Sequence, residues 1–320
     1  MTAFVVLTFM GAIAIGAYGF WAFSIAKGPT DAATVVIPKG SGVRGTASLL
    51  ERAGIIANDT IFMAGIKLHG AERDLKAGEY LIPAGATMRE VMALLRSGKT
   101  VIRRFTVAEG LSVRQVVALL QAEPALAGEV ADMPPEGSLM PETYHFAYGD
   151  SRAALVQRMR TAMRDTLARL WEERANDLPV STPQEALILA SIVEKETSVP
   201  AERPRVASVF VNRLRIGMPL QSDPTIVYGI RGGEKLGRPI LQSDLASDTP
   251  YNTYKITGLP PTPIANPGIE SLRAVLNPAR TEDFYFVADG SGGHAFARTY
   301  EEHLRNVQRW RAIERQGGAR

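Results

Sequence analysis

The sequence predicts an α+β protein with three parts: an N-terminal transmembrane helix, a small α+β module and a larger mixed helix/strand domain. Three observations predict this. The chain opens on an uncharged apolar run of membrane-spanning length. A strand, Gly turn and helix pattern then recurs. Beyond residue 100, apolar helices alternate with turn-rich loops. We therefore expect an anchor over residues 1–27, a module over 28–100 and a large domain over 101–320.

Composition excludes several classes of protein. With 320 residues the chain is long enough for two domains, and 22% charged with 46% hydrophobic residues argues against wholesale disorder. The net charge of +3 and pI near 9.1 fit an anionic surface such as a membrane or cell wall. There is no Arg/Lys run of the kind that binds nucleic acid. The absence of cysteine excludes a disulfide framework, a Cys-zinc site, a thiol nucleophile and a lipoprotein anchor.

Residues 4–23 form the apolar run and match the length of a bilayer span. Tyr18 and Trp21 near one end suit the membrane interface. A cleaved signal peptide is the alternative, with residues 24–26 as its small-residue site, but no Lys or Arg precedes the run. We predict an uncleaved anchor. Lys27 follows the span. Because positively charged flanks tend to stay in the cytoplasm, Lys27 by itself argues against export of the rest of the chain.

A repeated unit follows a short linker at residues 28–33. Three segments align without gaps, and each keeps an apolar strand end, a Gly, an Arg four residues later and a Leu-Leu pair. They are residues 37–50, 82–95 and 107–120. Thr87 and Ser112 begin capping boxes in the second and third copies. The uneven spacing argues against a solenoid.

The first two copies bracket the predicted module. We expect strands at 35–38 and 78–82 and helices at 43–53, 60–68 and 87–96. The strand-helix-helix-strand order resembles a LysM-type peptidoglycan-binding module. Ser97 and Gly98 end the last helix, so we place the domain boundary near residues 98–103.

The large domain contains a helix with a clear start. Thr182 is a good N-cap, Pro183 suits the first helical position, and Glu185 completes a capping box. The apolar run that follows continues almost all the way round, which predicts a buried helix.

Glu196 lies at the far end of this helix. At about 100° per residue it falls on the face shared by Leu189, Ile192 and Val193, whereas Glu194 points nearly the other way. An acid at the end of an apolar stripe has a raised pKa and suits a general acid. The alternative is that Glu196 marks the helix end and turns to solvent.

A second apolar helix at 206–214 and a polar, turn-rich segment at 217–225 follow the acid. A buried acid between two apolar helices and a polar loop is a common arrangement in sugar-cleaving sites. Aromatic and amide side chains nearby offer faces for sugar rings and partners for hydroxyls. The candidates are Tyr228, Tyr251 and Tyr254 with Asn212, Gln221 and Asn252. Each alone is more often structural.

The sequence predicts no metal or cofactor site. The four histidines are scattered, and no His-Glu-x-x-His motif occurs. The glycines at 290–293 lack the Lys of a P-loop and predict a hairpin turn, with His294 a hydrogen-bonded turn residue. The other predicted elements are a loop at 134–144, a surface helix at 151–178, a Pro-rich extended stretch at 251–268, a strand at 284–288 and a closing helix at 301–315.

Six motifs in order give a close resemblance to the MltG-type (YceG-like) endolytic murein transglycosylases over nearly the whole chain. They are residues 190–197, 206–218, 220–229, 251–254, 257–261 and 286–294. The resemblance implies that Glu196 is the catalytic acid. We further predict that the substrate site is lined by Asn212, Gln221, Asp223, Tyr228, Asn252 and Tyr254. It also implies a single-pass inner-membrane protein with periplasmic domains. The missing positive charge before the anchor departs from this pattern, and a wrongly assigned start codon would explain it.

The implied reaction cuts the MurNAc–GlcNAc β-1,4 bond in nascent glycan strands, forms 1,6-anhydro-MurNAc and helps to terminate chain elongation. Glu196 protonates the linking oxygen and then acts as base on the muramyl 6-hydroxyl. Asp223, Glu142 and Glu194 remain candidates for a second carboxylate, and Asp223 is alternatively a turn residue. The expected partners are peptidoglycan strands, the inner membrane and a peptidoglycan synthase. The alternatives are a hydrolysing muramidase and a non-catalytic, membrane-anchored peptidoglycan-binding scaffold.

Overall fold

Helices carry most of the chain in the computed structural model, which describes residues 1–317. Residues 318–320 of the predicted large domain lie outside the described residues. The helices are α1 Thr2–Ser24, α2 Val43–Arg52, α3 Asp59–Leu68, α4 Met88–Ser97, α5 Val113–Ala122, α6 Arg152–Glu172, α7 Pro183–Glu196, α8 Arg203–Arg215, α9 Asp223–Arg231, α10 Gln242–Leu245, α11 Ile269–Leu276 and α12 Tyr300–Gly317. The strands are β1 Ala33–Ile37, β2 Gly78–Ile82, β3 Ile102–Thr106, β4 Leu126–Ala127, β5 Thr143–Ala147, β6 Asp150–Ser151, β7 Tyr285–Ala288 and β8 His294–Ala297.

The predicted α+β class is confirmed, and the sheets are small. Within residues 1–317, β1 pairs with β2, β3 with β5, β4 with β6 and β7 with β8. The β1–β2 and β7–β8 pairs are antiparallel, and β4–β6 is parallel. The chain divides into two compact units. The first comprises Met1–Phe105 with two short later segments, Pro124–Ala127 and His145–Ser151, and the remainder forms the second.

The first unit has a core built between its strand pair and three helices. Alternate residues of β1 face inward, as a half-buried strand requires, whereas in β2 every residue except Leu81 is buried. They meet the apolar faces of α2, α3 and α4. The largest fully buried side chains of this core are Leu50, Ile55, Phe62, Ile66, Tyr80, Ile82 and Leu95. Their burial explains why the predicted strand-helix-helix-strand order forms here.

The N-terminal helix α1 is long and apolar enough to cross a membrane, with 22 residues from Ala3 to Ser24 of mean hydropathy 2.0. Its last turn packs into the first unit. Phe23 is 5% exposed and lies against Phe62 and His69, with ring centroids 6.4 and 5.5 Å apart. The end of the predicted 4–23 span is therefore buried in protein.

The predicted linker at 28–33 is not a free tether. Gly28 N donates to Ala86 O at 3.2 Å, and Gly85 N donates to Pro29 O at 2.7 Å. These backbone bonds hold the segment against the loop before α4, and Ala33 already belongs to β1. The prediction missed this because backbone pairing between distant loops leaves no pattern in side-chain identity.

The three predicted repeats adopt one conformation. A Gly follows each strand with φ between 71° and 82° in the three copies, at Gly40, Gly85 and Gly110. Each helix begins three residues later and is 10 residues long. Only Gly takes this left-handed conformation without strain, which accounts for its place in every copy. The capping boxes of Thr87 and Ser112 are both formed.

The second unit is organised around α7. Helices α6, α8 and α11 pack against it and bury an apolar core that includes Leu189, Ile192, Phe210 and Leu272. Two sequence predictions need correction here. Helix α6 ends at Glu172 rather than 178, and the turn-rich segment 217–225 passes into α9 at Asp223.

Candidate active site

Helix α7 carries the predicted acid as its last residue. The capping box is formed as predicted, with Thr182 Oγ1 accepting from Glu185 N at 3.1 Å and Pro183 in the first turn. The eight residues 186–193 are buried in succession, so the surrounding core fixes the helix on all sides. Glu196 therefore emerges at a rigidly held helix end, where the chain leaves the helix at Thr197.

Glu196 is partly buried, and one strong hydrogen bond holds it. Ser222 Oγ donates to Glu196 Oε1 at 2.5 Å. Burial raises the pKa of Glu196 to about 7, and the nearby Asp223 carboxylate acts in the same direction. The Ser222 hydrogen bond and the positive fields of His294 and Arg213 lower that pKa, but burial outweighs them. The acid is thus substantially protonated at neutral pH.

Ser222 is the residue that sequence reasoning missed. It is fully buried, and its backbone N donates to Thr253 Oγ1 at 3.0 Å. The preceding Gln221 has φ of 52°, a conformation that costs a non-Gly residue about 1–2 kcal/mol. This strained turn aims the Ser222 hydroxyl at the acid. The Gln-Ser-Asp-Pro run lies within a motif that carries the resemblance, but spacing alone does not indicate which hydroxyl reaches Glu196.

Sequence reasoning also missed Arg213, whose side chain bonds to two segments near the acid. It is 7% exposed. Its Nη1 donates to Leu220 O at 2.7 Å and reaches Gln221 Oε1 at 3.4 Å, while its Nε donates to Phe284 O at 2.7 Å. One guanidinium therefore fixes the loop that carries Ser222 and the strand end before the hairpin β7–β8. It also adds positive charge near Glu196.

Asp223 and Tyr254 form a second pair beside the acid. Tyr254 Oη donates to Asp223 Oδ1 at 2.6 Å. Burial raises the pKa of Tyr254, and the bond to Asp223 raises it further, so the phenol remains a donor at neutral pH. Asp223 is exposed at the first turn of α9. Both are predicted substrate residues, and the structure brings both to the acid.

Two other predicted substrate residues have internal partners. Asn212 donates to Thr281 O and Asp283 O, each at 3.0 Å, and is 8% exposed. Asn252 is fully buried and donates to Leu245 O and Ser247 O. These contacts give both amides a structural part to play.

Tyr228 is turned toward a different carboxylate. Its Oη donates to Glu136 Oε2 at 3.2 Å, and its ring pairs with Tyr251 at 5.0 Å. Burial raises the pKa of Glu136 as well. Within residues 1–317 neither Tyr228 nor Glu136 is hydrogen-bonded to Glu196, so Tyr228 belongs to a neighbouring cluster.

The three candidates for a second carboxylate occupy different environments. Glu194 is 5% exposed and is saturated by Gly268 N, Ser271 Oγ and Arg203 Nη2. Through these bonds Glu194 holds the start of α11 in place. Glu142 is exposed. Of the three, Asp223 is the carboxylate whose negative charge raises the pKa of Glu196.

His294 begins strand β8 and does not sit in the turn itself. As predicted it is hydrogen-bonded, and Glu202 is its partner through both the ring and the backbone. A positive charge on His294, like that on Arg213, lowers the pKa of Glu196.

Comparison with known proteins finds a matching family, similar sequences and a similar solved structure. The model of the YceG-like family matches residues 35–309. A Bacillus subtilis strain 168 protein named endolytic murein transglycosylase is 31% identical over 317 residues, covering 89% of this chain and 87% of that protein. A Streptococcus pneumoniae D39 protein of the same name is 31% identical over 362 residues, covering 95% of this chain and 64% of that protein. The crystal structure of a yceG-like protein from Listeria monocytogenes aligns with a TM-score of 0.53 at 29% identity, covering 86% of this chain and 98% of that one.

Proposed function

The chain belongs to the YceG-like family, and on that premise we propose that it is an endolytic murein transglycosylase. Its substrate is then the glycan strand of peptidoglycan, cut internally at the MurNAc–GlcNAc β-1,4 bond. The single observation that carries the proposal is Glu196, an acid whose pKa is raised to about 7 at the end of a rigid helix. Such an acid can hold a proton for a glycosidic oxygen at neutral pH.

The first half of the reaction is protonation of the leaving group. Glu196 gives its proton to the oxygen that links N-acetylmuramic acid to N-acetylglucosamine, the C1–O bond breaks, and an oxocarbenium-like centre develops. Ser222 holds the acid in place and stabilises the carboxylate that results. Arg213, fixed by three backbone carbonyls, supplies a preorganised positive field for the same charge.

The second half is ring closure. The muramyl 6-hydroxyl attacks C1, which yields a 1,6-anhydro end without consuming water. In the simplest form the Glu196 carboxylate takes the hydroxyl proton, so one carboxylate serves both halves. We assign Gln221, Asp223 and Tyr254 to substrate contact, because they lie beside the acid and its partner Ser222 and all three are exposed or partly exposed. Asn212, Asn252 and Tyr228 support that surface from behind.

The remaining parts of the chain fit a membrane-bound enzyme. We propose that α1 anchors the chain once in the inner membrane and that residues 101–320 form the catalytic domain on the periplasmic side, where peptidoglycan lies. Residues 28–100 form the LysM-like module, which binds glycan. An anchor without a free tether would keep cleavage close to the membrane. There the enzyme would meet nascent strands from a peptidoglycan synthase and help to end their elongation.

The test is product analysis by mass spectrometry. The full chain in detergent is incubated with uncrosslinked glycan strands, and fragment lengths and ends are determined. Mid-length fragments with 1,6-anhydro ends are expected. Reducing ends would instead indicate a hydrolysing muramidase with water as nucleophile. Intact strands that nevertheless bind the protein would indicate a scaffold.

A further inference from the structure

We propose that a groove between α1 and α3 in the first unit lies within the bilayer and binds one anionic phospholipid, with an acyl chain in the groove and the phosphate at Arg89. The inference rests on the membrane anchorage in the proposed function and adds a lipid site to it. The first unit then enters the membrane beside the anchor.

The groove has apolar walls. Its volume is about 540 Å³, which is within the range of pockets that hold small molecules. Ile15, Gly19 and Phe20 of α1 form one wall, and Ile61 and Leu68 of α3 belong to the other. Both walls lie in the first unit. They suit a hydrocarbon chain and not a sugar, whose hydroxyls would find few partners there.

The length of α1 places the groove inside the bilayer. The 22 residues from Ala3 to Ser24 measure about 33 Å at the helical rise, and the hydrocarbon core of a bilayer is about 30 Å thick. Nearly the whole helix is therefore needed to cross. The groove runs beside α1 from Ile15 to Ser24, which is about 15 Å of this length. The wall formed by α3 then lies at the depth of the adjoining leaflet.

Helix α3 exposes apolar side chains on the surface that this placement puts into lipid. Leu68 is 85% exposed, and Ala64, one turn before it, is exposed as well. Both line the groove. Water disfavours apolar surface of this kind, whereas hydrocarbon accepts it. Immersion in the bilayer therefore explains why α3 ends on a leucine that the first unit leaves uncovered.

Two polar groups in the groove fit a lipid headgroup. Arg89, in the first turn of α4, lines the groove and is exposed, and no carboxylate pairs with it within residues 1–317. A guanidinium is well suited to bind phosphate. Ser24 Oγ lines the same groove, is enclosed and has no hydrogen-bond partner in the described chain. Because an unpaired buried hydroxyl is costly, a phosphate or ester oxygen that accepts from it would stabilise the protein.

This combination favours a lipid over a second copy of the chain. The uncharged α1 of a second copy would fill the groove with apolar side chains and would leave Arg89 without an anion. A phospholipid supplies both an apolar chain for the walls and a negative phosphate for the guanidinium. The bilayer around the anchor also supplies it directly, because the groove continues the exposed apolar surface of α1.

The first experiment measures the depth of α3. The chain has no cysteine, so a fluorophore attaches only to a Cys that is introduced. The full chain with Leu68→Cys is labelled and reconstituted in vesicles of phosphatidylglycerol and phosphatidylethanolamine that carry a nitroxide on the acyl chain. We expect quenching comparable with that of a label at Ile13→Cys within the span. Leu81→Cys is the matched control and should not be quenched, because Leu81 is 55% exposed on the face of β2 turned away from the helices.

The second experiment measures lipid binding by native mass spectrometry of the full chain in detergent with added phosphatidylglycerol. Arg89→Gln should bind this lipid about fivefold more weakly than wild type. Arg44→Gln is the matched control, because Arg44 is the equivalent residue of the first repeat and does not line the groove. Gly19→Leu should also reduce binding, since a side chain there enters the groove without a clash. Gly11→Leu, elsewhere on α1, should bind as wild type does.

Three results would overturn the inference. They are an unquenched label at Leu68 in a chain that stays in the vesicles, equal binding by Arg89→Gln and Arg44→Gln, and a disulfide between two copies of Leu68→Cys, which would place a second chain in the groove. Release of the wild-type chain from vesicles by alkaline carbonate would overturn the anchor and the lipid site together. Failure of the proposed reaction is distinguishable from all of these, because it shows in the glycan ends and not in lipid binding.

Discussion

At the scale of the residue, the site depends on opposing effects on one carboxylate. Burial and the neighbouring Asp223 disfavour the charged form of Glu196, while Ser222, His294 and Arg213 favour it. The balance leaves a pKa of about 7, above the ordinary value of 4.5. The group can thus be an acid before cleavage and a stabilised carboxylate after it. A fully apolar pocket would allow only the first state.

The raised pKa predicts that Glu196 costs the fold stability at high pH. Since the folded-state pKa exceeds the unfolded value, its contribution is complete below pH 4.5 and is lost as the pH rises through 7. Glu196→Gln should therefore raise the free energy of unfolding at pH 8 by about 1–3 kcal/mol. Thermal melting at pH 8 and pH 4 measures this, and the difference should vanish at pH 4. A variant that is less stable than wild type at pH 8 would contradict the assignment.

Removing the Ser222 hydroxyl should move the pH profile. Its hydrogen bond favours ionised Glu196, so Ser222→Ala raises the pKa of the acid. The alkaline limb of kcat/KM, which marks loss of the protonated acid, should shift to higher pH. Ser208→Ala is the matched control, because that buried hydroxyl bonds to Arg205 O and Thr281. A limb that stays in place or moves lower in Ser222→Ala speaks against the contact.

At the scale of the element, α7 shows what the sequence can predict. Its capping box, its burial and the face that carries Glu196 all follow from local spacing. The partner of the acid does not, because Ser222 lies 26 positions away on a loop whose course depends on Gln221 at positive φ and on Thr253. Asn252 was predicted to contact substrate, but in the structure its amide is buried and donates to Leu245 O and Ser247 O. The sequence could not show this, because an amide next to aromatic residues gives no sign of the direction in which it points.

The cap of α7 should matter for stability and not for chemistry. Thr182→Ala removes the acceptor for Glu185 N and should lower the free energy of unfolding by about 1 kcal/mol. Chemical denaturation measures the loss. The pH profile of cleavage should keep its shape, since the cap is 14 residues before the last position of the helix. A shifted profile would mean that the helix start influences Glu196.

At the scale of the whole molecule, the apolar helix α1 belongs to the first unit and packs into it through its last turn. The sequence correctly predicted the apolar run and the strand, Gly turn and helix of the three repeats. It predicted a short linker over residues 28–33, and in the structure Gly28 and Pro29 are bonded to the loop before α4. The sequence could not show this bonding. Short Gly- and Pro-containing segments have the same composition whether they are free or bonded through their backbone.

Bulk at Gly65 should loosen this junction. A Cβ there would overlap the ring of Phe23, so Gly65→Val must displace the end of α1. Trypsin cleavage after exposed Lys27 should become faster, because the segment is held by the Gly28–Ala86 bond in the wild type. Gly45→Val is the control, since a Cβ at that position meets nothing within 4 Å. Equal cleavage rates in both variants would show that the junction is not packed in this way.

The most direct test of the central claim compares two neighbouring acids. Cleavage of uncrosslinked glycan strands is timed for the full chain carrying Glu196→Gln or Glu194→Gln. Glu196→Gln should slow cleavage by about 10²–10⁴-fold or more, because the proton donor is gone. Glu194→Gln keeps one acceptor oxygen for both Gly268 and Ser271 and should stay within about tenfold of wild type in rate. A Glu196→Gln enzyme that cleaves at the wild-type rate would contradict the assignment of the acid.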